Sequence, residues 1–364
     1  MIEINGIGKC KTVSPIANDI VNGNLPALEE RLQQGWNLKE NIAVVEYIKK
    51  FPPILCALGV GCFESVKWLV EHGANLNDKE YPSFLIAVRY CDEKMMVYLA
   101  ENGANIHAVN RVGSDAFSEA LYGKKHHHLP VLERLGHTAK DYGGRAFRSA
   151  IMDGDNQAIE FFVNHGVDMN YNEPCMVFPY QSTPLCVAAE YADLERCKYF
   201  VEHGADVTIA DNYGSRPYTI ALEENRTEIA EYFKSLEPAD FHNLQNKLLE
   251  LKPYKLPKSL LDFLQGDNLR LDFGSRDAFG CAYIDFFSLI DTTPMKFKRQ
   301  KLLRLAREVD NYGGGLYIVW NPKTKHIAGY DVEHEELCDI APFDAFMQDA
   351  ANFMKKLLGG DICS

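Results

Sequence analysis

A short segment ending in glycine recurs through the first two thirds of this 364-residue chain, and it limits the fold more than any other feature. The clearest copy runs from Thr183 to Asp206. Thr183-Pro184-Leu185 opens a helix, because proline suits a first turn where its missing N–H has no intrahelical partner. Ala188 and Ala189 let that helix lie close to its neighbours. Leu194, Cys197, Tyr199, Phe200 and Val201 then recur at helical spacing and predict a second helix with a buried stripe. His203-Gly204-Ala205-Asp206 ends it, with glycine supplying a left-handed turn.

The same pattern returns at Gly35, Gly73, Gly103, Gly136, Gly166 and Gly204, at intervals that are, by subtraction, 38, 30, 33, 30 and 38 residues. The tails match closely: Gln34-Gly35-Trp36-Asn37, His72-Gly73-Ala74-Asn75, Asn102-Gly103-Ala104-Asn105, His165-Gly166-Val167-Asp168. Only Gly136, followed by His137-Thr138, departs. A period near 33 with this internal order resembles the ankyrin repeat family. The likeness covers roughly residues 14–236 and implies about seven helix pairs joined by hairpin fingers, the last pair running from Arg216 to Leu236.

That resemblance places the interaction surface at the finger tips and along the concave ends of the inner helices. Aligned on Ala57, Ala87, Ala120, Ala150, Ala188 and Ala221, the groove positions are Arg89, Tyr90, Tyr122, Met152, Asp153, Glu190, Tyr191, Glu223 and Glu224, and finger-tip positions include Lys79, Arg111 and Tyr213. The histidine that the family carries two residues before the alanine is replaced by Leu55, Leu85, Ser118, Arg148, Cys186 and Thr219, which makes this a divergent array. Two longer connections, 36–52 and 171–182, produce the 38-residue intervals. Insertions in repeats fall on loops, often on the binding face. Either each folds back on its own repeat, or the fingers present Tyr47, Phe178 and Tyr180 to a partner, since interface cores favour aromatics.

After Leu236 the pattern changes. Ala239–Leu251 reads as a connecting helix with Phe241, Leu244 and Leu248 on one face, and Lys255-Leu256-Pro257 opens a short helix stopped at Gly266. Strand-like runs follow at 269–273, 281–289, 316–320 and 327–332, then an amphipathic helix from about Phe343 to Leu358. This order resembles the SUKH superfamily, which includes cell-wall-synthesis regulators and bacterial toxin-immunity proteins. The likeness rests on Leu256-Pro257 with Leu260, Leu261 and Phe263, on Ala306–Asp310, and on Gly313-Gly314-Gly315 before Leu316-Tyr317-Ile318-Val319. Ile327–Asp331 with Glu333 and Glu335, and Ala341-Pro342-Phe343, complete it. The fold expected is multidomain: an all-α ankyrin-repeat solenoid over 1–236, then a small α+β domain over 237–364.

Charge and cysteine usage narrow the function. The net charge is −13, and residues 1–236 carry 22 Lys plus Arg against 32 Asp plus Glu. An acidic array repels nucleic-acid phosphates and steers basic protein partners toward itself. Ten scattered cysteines without a C-x-x-C pair point to a reducing cytoplasm and to no zinc ribbon. No run of eighteen apolar residues and no secretory leader are evident. Cys363 lies second from the end, which excludes prenylation.

Catalytic and metal signatures fail on inspection. Gly313–Gly315 is not followed by Gly-Lys-Ser/Thr, so it is no phosphate loop. His334-Glu335-Glu336-Leu337-Cys338 has Cys338 where a zinc-protease helix needs its second histidine. His126–His128 reads as an exposed loop, Asp331 with Glu333, Glu335 and Glu336 as a solvated hairpin edge, and the basic run Lys296–Arg307 as an exposed helix face. No catalysis, cofactor or metal is expected. The two resemblances together imply a monomeric protein-binding module, an immunity protein that covers a cognate toxin, and the array's acidity favours a basic toxin domain. The competing expectation is a general ankyrin scaffold.

Overall fold

The computed structural model describes residues 2–44, 50–274 and 280–361, which form two compact units, residues 1–179 and 180–364. Tyr47 lies outside the described residues. The sequence pattern changes at 236/237, where helix pairs give way to strands, whereas compactness groups the last two helix pairs with those strands.

The first unit opens with a hairpin, β1 (Ile2–Ile4) and β2 (Gly8–Cys10), whose Asn5 N–H donates to the carbonyl of Gly59. Five helix pairs follow: α1 (Pro15–Val21) and α2 (Leu25–Gln33); α3 (Pro53–Val60) and α4 (Phe63–Glu71); α5 (Ser83–Tyr90) and α6 (Glu93–Glu101); α7 (Ala116–Tyr122) and α8 (Leu129–Leu135); α10 (Gly144–Met152) and α11 (Asn156–Asn164). A one-turn helix, α9 (Ala139–Tyr142), precedes the last pair, and the short strands β3 (Ile42–Ala43) and β4 (Lys50–Phe51) pair across the first insertion. Inner helices α1, α3, α5, α7 and α10 pack in succession, each through a fully buried alanine such as Ala57, Ala87 or Ala120. A methyl group there lets two backbones approach closely. The six glycines that end the outer helices all adopt left-handed φ, from +74° to +95°, as the recurring tail predicts.

The second unit holds the pairs α12 (Pro184–Tyr191) with α13 (Leu194–Glu202) and α14 (Pro217–Glu223) with α15 (Thr227–Leu236). Thr183 caps α12 by accepting the Cys186 N–H at 3.1 Å. Helices α16 (Leu244–Leu251) and α17 (Lys258–Leu264) lead to two antiparallel sheets. Strands β5 (Arg270–Asp272), β6 (Tyr283–Phe286) and β9 (Ala306–Val309) form the smaller. In the larger the order is β12 (Glu336–Ala341), β11 (His326–Asp331), β10 (Leu316–Asn321), β8 (Gln300–Arg304), β7 (Thr293–Phe297). Period-2 alternation assigns the two faces of the larger sheet. Leu303, Trp320 and Ile327 face a core shared with Leu260, Leu264, Phe346 and Met354, while Leu302, Val319 and Ala328 face the other way. Trp320 Nε1 donates to the Tyr254 carbonyl at 2.8 Å, satisfying the one polar atom of a buried ring.

Several expectations need correction. The basic run at 296–307 is no helix; it forms β7, β8 and β9, in which Met295, Leu302 and Leu303 are buried, the last two on opposite faces, and Arg304 is buried with them. The C-terminal helix breaks at Asp349, whose φ of −148° separates α18 (Phe343–Gln348) from α19 (Ala350–Leu358). Residues 239–242 form a 3₁₀ turn, and α16 buries Lys247 and Leu251 rather than Phe241 and Leu244, which are exposed. His126–His128 is a 3₁₀ turn in which His128 is buried with Nδ1 2.9 Å from the Val88 carbonyl oxygen.

Candidate functional site: a clamped loop beside a finger

The second insertion is organised by a buried arginine. Arg148, on α10, has no exposed surface, and its guanidinium lies 4.9 Å from the Tyr171 ring centre and 4.8 Å from that of Phe178. Its Nη2 donates to the Glu173 carbonyl at 2.6 Å and lies 3.8 Å from Cys175 Sγ, which in turn accepts the Phe178 N–H at 3.4 Å. Burial lowers the arginine's pKa, with the field of Cys175 opposing. This side chain stands where the family carries histidine. Here the position holds an insertion instead of a neighbouring turn.

The clamp decides which apolar residues reach solvent. Phe178 is pulled in, to 7% exposure, so of the two expectations for this insertion its ring follows the one that folds back on its own repeat rather than the one that presents it to a partner. Met176 and Val177 are pushed out, to 74% and 47%. They line a cavity of about 180 Å³ with Val112, Ser114, Tyr122, Arg145, Ser149 and Cys175. Val112 tips a finger built by Asn110, whose Oδ1 accepts the N–H groups of Val112 and Ser114, each at 3.0 Å, while Gly113 takes φ +76°. Tyr122 is half exposed, with the Arg89 guanidinium 5.7 Å from its ring centre. Arg89 also faces the Tyr90 ring at 5.4 Å and pairs with buried Glu119 at 3.2 Å. Burial raises the Glu119 pKa, and the Arg89 charge pulls it back.

Arg89, Tyr90, Arg111, Tyr122 and the exposed Asp153 therefore belong to the first unit, on fingers or inner-helix ends. Sequence reasoning singled out the aromatics of the insertion and passed over Met176, Val177 and Val112. The signal was Arg148, a charged residue inside an otherwise apolar helix face.

In the second unit the groove positions divide. Glu190 and Tyr191 are exposed, and a hydrogen bond to Glu190 pushes the Tyr191 phenol up to about 12. Glu223 and Tyr213 are not free. Arg304 of β8 donates through Nη2 to Glu223 at 2.8 Å and through Nη1 to Ser215 Oγ at 3.0 Å. Tyr213 packs against the rings of Tyr180 (4.9 Å), Tyr317 (5.4 Å) and Tyr330 (6.1 Å), on the sheet face formed by Leu302, Val319 and Ala328. Tyr180 keeps a partly exposed edge. The finger at 211–215 repeats the geometry at 110–114: Asp211 Oδ1 accepts from Tyr213 and Ser215, and Gly214 takes φ +78°. Burial pushes the Asp211 carboxyl up to about 7.

A family model described as ankyrin repeats, three copies, matches residues 147–243. Residues 147–243 are ankyrin repeats. Such repeats mark a protein–protein interaction module, and protein partners follow from them. No curated protein matches the chain. The match begins inside α10, at the residue before Arg148, so the clamp belongs to the first matched repeat. Upstream, the helix pairs share the packed alanines and left-handed glycines of the matched ones. Among the described residues no three His, Cys, Asp or Glu side chains are placed to hold a metal, and no helix is long and apolar enough to cross a membrane.

Proposed function

We propose that this protein works by docking a protein partner on the clamped loop and its neighbouring finger, and that it is an immunity protein which neutralises a cognate toxin by covering it. The observation that carries the docking site is the pairing of outward Met176 and Val177 with the inward Arg148–Phe178 clamp. Contiguous apolar side chains held at the surface by buried polar contacts are costly unless something covers them. The resemblance of residues 240–364 to a superfamily rich in immunity proteins supports the finer reading. So does the acidity of the matched repeats, which favours encounter with a basic partner. Inhibition would be steric, with no chemical step.

Purification of the tagged chain from its own host, with and without Val177→Asp, tests this. One stoichiometric secreted toxin, lost with the substitution, is the expected result. Several unrelated housekeeping proteins would favour the second reading, an intracellular scaffold. One observation favours that reading: Met176 and Val177 offer apolar surface in one unit, while Glu190 and Glu224 offer acidic surface in the other.

A further inference from the structure

The pocket beside the clamped loop is basic in an acidic protein. Arg145 forms part of its wall, with Ser114 and Ser149, and makes no ion pair among the described residues. Arg111, next to Val112 at the finger tip, is 82% exposed and reaches Glu80 only at 3.9 Å. Two of the nearby carboxylates are committed elsewhere. Glu119 is held by Arg89 at 3.2 Å and by Asn110 at 2.9 Å. Asp115 is buried and caps α7 by accepting the Ser118 N–H at 2.8 Å; burial raises its pKa, and the Arg145 charge opposes that only in part. The acidity of the helix pairs is also uneven along the chain. Residues 1–150 carry 17 Lys plus Arg against 17 Asp plus Glu, whereas residues 151–236 carry 5 against 15.

The chain contains its own example of an occupied finger. Val112 and Tyr213 hold equivalent positions, each one residue before a left-handed glycine that precedes the packed alanine by seven residues. Tyr213 inserts against an apolar sheet face while an opposite charge pair, Arg304 with Glu223, forms beside it. At Val112 the apolar tip is in place, and the cation is Arg145 on the protein's own side.

We infer that this pocket accepts an acidic segment of the partner, which inserts one apolar side chain among Val112, Tyr122, Met176 and Val177 and sets a carboxylate against Arg145. A volume of about 180 Å³ suits one side chain rather than a folded surface. A carboxylate on guanidinium is a charge-assisted pair, and the two serine hydroxyls can donate to the same group. The inference rests on the docking reading above and adds the chemistry of the partner.

A randomised peptide library displayed against the intact chain tests it. Enriched peptides should place Asp or Glu within two residues of Leu, Met or Phe. Their affinity should fall at least tenfold with Val177→Asp and with Arg145→Glu, and Arg145→Glu should regain peptides whose acidic residue is changed to lysine. Circular dichroism of both variants should match the parent, and Arg145→Gln, which sets no second negative charge beside Asp115, should lose the same acidic peptides while keeping the parent's thermal unfolding. Enriched basic peptides that still depend on Val177 would overturn the acidic chemistry and leave the docking site standing. Peptides indifferent to both substitutions, or no enrichment, would overturn the chemistry and the docking site together.

Discussion

Buried Arg148 and half-buried Asp211 are ionisable residues with opposite consequences. Arg148 is bonded into a loop through Nη2, and truncation removes its bond to the Glu173 carbonyl and the packing against two rings. Arg148→Ala should cost about 2–4 kcal/mol. It should also open the 171–182 segment to proteases, detectable as new cleavage near Met176 before global unfolding. Asp211 works the other way, because its folded pKa of about 7 lies above the ordinary value of 3.8. Between about pH 4 and pH 7 the folded protein retains a proton that the unfolded chain releases, so stability is greatest below this window and is lost as pH rises through it. Asp211→Asn keeps an oxygen for the Tyr213 and Ser215 N–H groups and has no charge to bury. It should raise stability at pH 7 and flatten that part of the pH profile in urea titrations.

At the level of elements, two glycines separate local geometry from packing. Gly204 ends α13 at φ +95° with nothing within 4 Å of where a Cβ would sit, so Gly204→Ala should cost only the left-handed strain, about 1 kcal/mol. At Gly214 a Cβ would meet the Pro294 carbonyl oxygen at 2.4 Å and Thr293 Cγ2 at 2.7 Å. Gly214→Ala should cost more than Gly204→Ala, and near-ultraviolet circular dichroism should report loosened packing of Tyr213. Helix pairs, their glycine ends and the strands β10 and β11 were legible in the sequence because local periodicity dictates each of them. The basic run at 296–307 was misread because β8 is buried on both faces through Leu302, Leu303 and Arg304, so it carries no period of two that could stand out among the charges. Which way Phe178, Met176 and Val177 point was not legible. It depends on Arg148, more than twenty residues away, and no local pattern encodes that contact. That the strands hold Glu223 and Tyr213 was not legible for the same reason: groove and finger positions are defined by the repeat, whereas their occupancy is decided by strands eighty residues or more downstream.

Across the second unit, the Arg304–Glu223 pair joins helices to strands in a setting where Arg304 is 3% exposed. Arg304→Ala leaves Glu223 without its countercharge and should cost about 3–5 kcal/mol, whereas Arg304→Met with Glu223→Leu should cost far less. Chemical denaturation of the two variants measures the difference, and equal losses would mean that Glu223 left unpaired carries no penalty of its own. The same junction bears on how such a protein changes over generations. Repeat arrays lengthen by duplication, each new copy stacking on the one before. Here the final finger is already occupied: Tyr213 sits on the sheet, and Gly214 leaves no room beside Pro294. A copy added after Leu236 would have to displace that contact, so descendants of this chain can gain repeats only upstream of it, and its C-terminal end is fixed while its reach toward new partners stays open to variation.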